Sequence, residues 1–259
     1  MVNKFKYLNK INILFLFFIM TLNINGCSIT LKREITNDTE NSINMKININ
    51  EKYDYEPGDV LPLGSIVTLK NSNDKLMIYG WNQNIQNENK MYDYIACDYP
   101  IGAIDKYGLH LFDQNEIEAV YYVGYMDEDG KDYINGLIEF RNKLKNQNYK
   151  NCDNYSYEDI KYDLNQYNLD LFLPLGSIVE IRNDNNKYLI TGRMCYSMDD
   201  KDKKMNDYCG YKYPEGYKGR DSVYIFNMED ITKIYFRGYS DNIEDEYTKK
   251  LSDYRKTLN

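Results

Sequence analysis

The heptapeptide Leu61-Pro62-Leu63-Gly64-Ser65-Ile66-Val67 recurs letter for letter as Leu173-Pro174-Leu175-Gly176-Ser177-Ile178-Val179. A repetition in fixed register is the mark of a repeated structural unit. Extending it from 61–80 against 173–192 gives 12 identities in 20 positions. After a change of two residues in length the match resumes. Asp93-Tyr94 aligns with Asp207-Tyr208, and Tyr99-Pro100 with Tyr213-Pro214. Phe112, Ile117, Tyr121, Gly124 and Tyr125 align with Phe226, Ile231, Tyr235, Gly238 and Tyr239. Leu137, Arg141 and Leu144 align with Leu251, Arg255 and Leu258 at the end of each copy. The chain is a duplication of one module.

Each copy opens with period-two alternation. In 65–70 and 177–182, Val67, Leu69, Val179 and Ile181 are apolar where Thr68, Glu180 and Arg182 are not, the pattern of a half-buried strand. A second strand, 75–81 and 187–193, follows a loop of turn formers. A third, 92–99 and 206–213, stops at a proline, which has no N–H for a ladder. A short fourth near 108–112 and 222–226 leads through Asp113-Gln114-Asn115-Glu116 and Asn227-Met228-Glu229-Asp230 into the fifth, 118–125 and 232–239. Gly80, Gly192, Gly124 and Gly238 sit late in strands, where glycine signals a bulge or a close backbone approach.

The period then changes from 2 to 3.6. Tyr133, Leu137, Phe140 and Leu144, repeated as Tyr247, Leu251, Tyr254 and Leu258, form the stripe of a helix laid on a sheet. The expected fold class is α+β: two tandem modules, each a five-stranded, mainly antiparallel sheet or small barrel followed by a C-terminal helix. The segments are a leader (1–26), a flexible tether (27–56), module one (57–148), a part-helical linker (149–172) and module two (173–259). In the tether, Ile43, Met45, Ile47 and Ile49 alternate as an extra edge strand would. In the linker, Ser156-Tyr157-Glu158-Asp159 resembles a capping box ahead of Ile160, Leu164 and Tyr167 on one helical face. Domains this small bury only about 60–65% of their surface, which favours docking through that linker helix.

The first residues give an address. Lys4, Lys6 and Lys10 precede an apolar run from Ile11 to Leu22. That run is shorter than the roughly 20 residues of a membrane span and has the length of a signal-peptide core. Ile24-Asn25-Gly26-Cys27 resembles the lipobox of bacterial lipoproteins, whose cysteine is diacylated after the leader is cut; Asn25 departs from the usual pattern. Two acyl chains anchor a protein stably. The expectation is a chain held through Cys27 on the extracytoplasmic face of the cell membrane, with an uncleaved N-terminal anchor as the alternative. The formal charge is −8, and losing a leader with three lysines and no acids takes it to −11. Such a surface repels phosphate backbones and excludes nucleic acid as a partner. The 28 tyrosines, like the abundant Asn, Lys and Ile, have AT-rich codons and reflect a low-GC genome.

A search for chemistry returns little. His110 is the one histidine and its counterpart is Tyr224, so a Ser-His or Cys-His arrangement would depend on it alone; it reads as a solvent-facing strand residue. Zinc held by two histidines is excluded. Asp127-Glu128-Asp129-Gly130 fails the calcium-loop spacing, which would start at Tyr125 and end at Gly136, and reads as a solvated turn before a helix. Asp199, Asp200 and Asp202 read as a charged hairpin loop. Ser65 and Ser177 read as turn hydroxyls bonded to backbone. The expected protein is non-enzymatic, with no cofactor and no metal.

Binding candidates remain. Trp81, opposite Arg193 in copy two, either anchors a partner from an outward hairpin or is a part-buried strand residue. Tyr121, Tyr125, Tyr235 and Tyr239 offer aromatic area of the kind interfaces favour or receive the C-terminal helix. Cys195 and Cys209 flank the second-to-third strand hairpin of copy two, opposite Gln83 and Ile95. They are a candidate disulfide if the chain is exported, or two buried thiols.

The Leu-Pro-Leu-Gly-Ser-Ile-Val start, the Asp-Tyr…Tyr-Pro-x-Gly centre and the Phe-x-x-x-x-Ile…Gly-Tyr end resemble the domain-of-unknown-function family 4176 of low-GC Gram-positive bacteria. The resemblance covers both copies, about two-thirds of the chain. Copy two, with Tyr213-Pro214-Glu215-Gly216 and Phe226-Asn227, fits better than copy one, where Ile101 stands in place of Glu215. Members of that family often lie beside type VII secretion genes and LXG-type toxins, some as cytoplasmic partners of those toxins. A lipobox and a duplication depart from the small soluble form. The resemblance therefore implies a membrane-anchored, protein-binding accessory or immunity factor whose partner is a secreted toxin. A structural or carbohydrate-binding envelope protein is the alternative.

Overall fold

The computed structural model describes residues 58–85, 90–103, 108–145, 149–151, 171–197 and 204–258. The leader with Cys27, the tether with its 43–49 alternation, Asp199, Asp200 and Asp202, and the linker positions Ile160, Leu164 and Tyr167 lie outside the described residues.

Copy one runs through β1 (Asp59–Val60), β2 (Ile66–Leu69), β3 (Leu76–Asn84), β4 (Met91–Asp98), β5 (Leu109–Phe112), β6 (Ile117–Tyr122) and α1 (Glu128–Lys145). After β7 (Lys150–Asn151), copy two supplies β8 (Ile178–Ile181), β9 (Asp184–Cys195), β10 (Asn206–Tyr213), β11 (Tyr224–Phe226), β12 (Ile231–Phe236) and α2 (Asn242–Lys256). The two five-stranded sheets have equivalent orders, β5-β4-β3-β2-β6 and β11-β10-β9-β8-β12, and are antiparallel throughout. Four strands meander and the fifth returns to pair with the first. A 3-10 turn makes that return in each copy, closed by a capping box. Asp113 N donates to Glu116 Oε2 (2.7 Å), and Asn227 N to Asp230 Oδ2 (2.9 Å). The fold is therefore the expected α+β pair of modules. One further element, a parallel pairing of β1 with β7, is too short to leave a periodic signal.

The duplicated motifs hold each other. Ser65 Oγ donates to Pro62 O (2.7 Å) and accepts from Gly124 N (2.9 Å). Ser177 repeats this with Pro174 O (2.7 Å) and Gly238 N (3.0 Å), as the turn reading requires. A Cβ on Gly124 or Gly238 would lie 1.9 or 2.0 Å from the carbonyl oxygen of Leu63 or Leu175. Only glycine lets the end of the fifth strand cross the Leu-Pro-Leu-Gly start so closely.

The helices are rotated from the expected stripe. Helix α1 buries Gly130, Ile134 and Arg141, while Phe140 and Leu144 are 48% and 59% exposed. Helix α2 buries Glu244, Thr248, Leu251 and Ser252, while Tyr254 and Leu258 stand out. In α1 the cause is Arg141. Its Nε donates to Asn82 Oδ1 (2.8 Å) and its Nη2 to Asp93 O, so a buried cation docks the helix and turns the end of the stripe outward. The buried apolar residues of both modules form one contiguous cluster. The modules share a core.

Candidate functional site

The most elaborated polar arrangement lies where the modules meet, and it is twofold. Asp127 accepts Gly130 N (2.9 Å) at the start of α1, and Asp241 accepts Ile243 N (3.1 Å) and Glu244 N (2.9 Å) at the start of α2, the ordinary work of an N-terminal acid. Each also binds a lysine of the other module: Lys75 Nζ lies 2.7 Å from Asp241 Oδ2, and Lys187 Nζ pairs with Asp127 Oδ2. Burial disfavours the Asp241 and Asp127 charges, but their lysine partners and capped N–H groups outweigh it and hold both carboxyls below the usual range. Each lysine is flanked by rings from both modules, Lys75 by Tyr121 and Tyr239, Lys187 by Tyr235 and Tyr125. Tyr99 OH donates to Tyr239 O (2.8 Å), and Tyr213 OH mirrors it to Tyr125 O (3.4 Å).

The backbones meet as closely. Ala103 N donates to Thr191 O (2.9 Å) and Tyr217 N to Tyr79 O (3.1 Å), which are equivalent bonds. Gly64 and Gly176, both with positive φ, face each other, and a Cβ on Gly64 would come within 3.1 Å of Gly176 O. Tyr122 packs on Phe236 and Tyr239 at ring-centroid distances of 5.6 and 5.4 Å. This is the isologous pattern of a symmetric dimer, built inside one chain.

The symmetry breaks beneath the helices. In copy two, Arg193 and Glu244 form a buried ion pair, with Nη2 to Oε2 at 3.2 Å. Arg193 also donates from Nη1 to Thr248 Oγ1 (2.9 Å) and from Nη2 to Pro100 O of module one (2.6 Å). In copy one the equivalent space holds Trp81, Gly130 and Ile134.

A cleft of about 310 Å³ opens in copy one, lined by Lys90, Met91, Asp93, Asp113, Asn115, Lys145 and Tyr149. Asp93 accepts from Gln114 N (3.0 Å), Tyr149 OH (2.9 Å) and Lys145 Nζ (2.8 Å). Burial opposes the Asp113 charge, yet Lys145 and Lys90 hold its carboxyl below the usual range. Burial and the adjacent Asp93 push the Tyr149 hydroxyl well up. In copy two Arg255 takes Asp207 directly, Nε to Oδ1 at 2.5 Å and Nη2 to Oδ2 at 2.9 Å.

Trp81 is not on an outward hairpin. It is 5% exposed, its Nε1 donates to Leu61 O (3.1 Å), and its ring packs on Tyr133 of α1 at 5.4 Å. Tyr125 and Tyr239 are buried in the seam, and Tyr121 and Tyr235 lie half-buried beside its lysines. Tyr125 and Tyr239 meet rings of the other module, whereas Tyr121 and Tyr235 lie beside the seam lysine of their own module. His110 Nε2 lies 2.7 Å from Asp98 Oδ1 in a part-exposed position. Cys195 and Cys209 are buried thiols with sulfurs in contact. Lys75, Asp127, Tyr99 and their counterparts Lys187, Asp241 and Tyr213 are seam residues whose part in joining the modules the sequence motifs do not announce; the Asp127 turn is not simply solvated but paired with Lys187. Their signal is present, because each pair is repeated in register.

Residues 60–132 and 172–247 each match the family model described as Domain of unknown function (DUF4176), together more than half of the chain. The chain belongs to the DUF4176 family. No curated protein and no solved structure matched. Both DUF4176 matches reach into their helix, so the seam and its capping acids lie within the matched residues. Among the described residues no helix is long and apolar enough to cross a membrane, and no group of three or more His, Cys, Asp or Glu is placed to hold a metal. Among the described residues the large exposed apolar side chains include Phe140 and Leu144 in copy one and Tyr254 and Leu258 at the equivalent places in copy two, all beyond the matched stretches.

Proposed function

We propose that this chain is a non-enzymatic lipoprotein that binds another protein, acting as an accessory or immunity factor for a secreted toxin linked to type VII secretion. The observation that carries the reading is the repeated apolar pair near the end of each copy, Phe140 with Leu144 and Tyr254 with Leu258. Among the described residues Ile101, Leu171 and Ile243 are exposed too, but these four are the exposed apolar side chains that recur at equivalent places in both copies, which suits a partner that meets the two modules alike. A charge of −11 after leader removal would steer a basic partner, and two equivalent patches on one tether add avidity if both engage. The lipobox-like Ile24-Asn25-Gly26-Cys27 supports action at the outer face of the membrane.

The test is capture of an LXG-type toxin, where one is encoded beside this protein, by residues 28–259 at low salt, with a sensitivity assay in cells lacking the protein. A complex, weakened about tenfold or more by Phe140→Asp with Tyr254→Asp, and a more sensitive deletion strain are expected. Palmitate labelling that is lost in Cys27→Ala would accompany them. With no complex and unchanged sensitivity, the reading gives way to a structural or carbohydrate-binding envelope protein.

A further inference from the structure

We propose that Cys195 and Cys209 are joined by a disulfide in the mature protein, a covalent staple across the β9–β10 hairpin that copy one lacks. The two residues stand on neighbouring antiparallel strands, 14 positions apart and offset in register, Cys195 opposite Asn206 and Cys209 opposite Gly192, with their Sγ atoms 2.8 Å from each other. Both are buried. Gly192 makes the room: a Cβ there would lie 2.6 Å from Cys209 Sγ and 3.3 Å from Cys195 Sγ. In copy one the equivalent Gly80 makes the same room for Ile95, whose Cγ2 would be 2.7 Å from an added Cβ. One cradle therefore holds an apolar side chain in one module and two sulfurs in the other. Cys97 points elsewhere, with its Sγ donating to Met77 O at 3.8 Å.

The oxidant is an external disulfide, either small or carried by a thiol–disulfide oxidoreductase. One of the two cysteines attacks it as the thiolate and expels a first thiolate, leaving a mixed disulfide. The other cysteine then attacks the protein sulfur and expels the second. Two protein thiols are oxidised, one external disulfide becomes two thiols, and the protons of the protein thiols pass to solvent or to the departing thiolates. In the folded chain, contact with Cys209 and burial push the Cys195 thiol well up. The bond is independent of what the protein binds.

The mature chain, refolded from denaturant and reductant in a reduced and oxidised glutathione buffer, should lose two hydrogens in intact mass. After denaturation and alkylation, the peptides carrying Cys195 and Cys209 should emerge linked, with Cys97 and Cys152 alkylated. Alkylation of Cys195 and Cys209, or a bond from either to Cys97 or Cys152, overturns the proposal. Thermal unfolding gives a second reading. The oxidised chain should melt roughly 5–10 °C above Cys195→Ala with Cys209→Ala, and only the unsubstituted chain should respond to glutathione. A wild-type midpoint that ignores glutathione also overturns it.

Discussion

At residue 193 and its counterpart the two copies solve one packing problem in opposite ways. Copy one places Trp81 against Tyr133 and satisfies its indole N–H with Leu61 O. Copy two places Arg193 against Glu244 with both side chains out of water. A buried ion pair contributes little over a well-packed apolar replacement, but removing one partner strands the other charge. Glu244→Ala should therefore destabilise the chain by about 3–5 kcal/mol. Adding Arg193→Met to that variant should recover much of the loss, because an apolar filling of this space is what copy one uses. Urea unfolding of the two single variants and the double variant measures it. Additive costs would mean that the pair is not one unit.

At the scale of elements, the helix starts lock the modules together, and this gives the seam a pH dependence. The Asp127 and Asp241 carboxyls lie below their ordinary range in the folded chain. Their contribution is complete above the unfolded carboxylate value near 4 and is lost as pH falls through the lower folded values. Lys75 has the opposite sign. Burial lowers it, but Asp241 and Tyr239 outweigh that and raise it above 10.5, so its contribution is lost only in strong alkali. Asn keeps the capping function, so Asp127→Asn with Asp241→Asn removes the charge alone. The wild-type urea midpoint should fall more steeply between pH 5 and 3 than that of the double variant, by about 1–3 kcal/mol for each bond lost. Parallel profiles would contradict the lock.

The strands are legible in the sequence because two copies report one alternation, and accidents in one are corrected by the other; the connections at 113–116 and 227–230 are legible only as polar, not as 3-10 turns. The rotation of α1 is not legible. Arg141 counts as a surface residue in any hydropathy pattern, whereas here its paired guanidinium is fully buried and decides which face docks. The seam is hidden for a related reason. Lys75 and Asp241 are ordinary surface charges until the fold sets them 2.7 Å apart, and Tyr239 looks like interface area for a stranger until it meets Tyr99 and Tyr122. What can be read is that these residues come in register-matched pairs, the trace a symmetric contact leaves in a duplicated chain.

At the scale of the whole molecule the central claim is that the two modules are one cooperative unit with a shared core. Small modules gain from this, since each alone buries a modest fraction of its surface. Trp81 is the only tryptophan and lies in module one, so its fluorescence reports the unfolding of that module alone. Leu251 is buried on α2 of module two, and Leu251→Ala should cost about 2–4 kcal/mol through the cavity it leaves. The decisive measurement is urea unfolding of this variant, followed by Trp81 fluorescence and by far-ultraviolet circular dichroism. If the modules unfold as one, the Trp81 midpoint in module one falls by the same amount as the dichroism midpoint. An unshifted Trp81 transition, with the dichroism splitting into two steps, would show two independent domains and contradict the account.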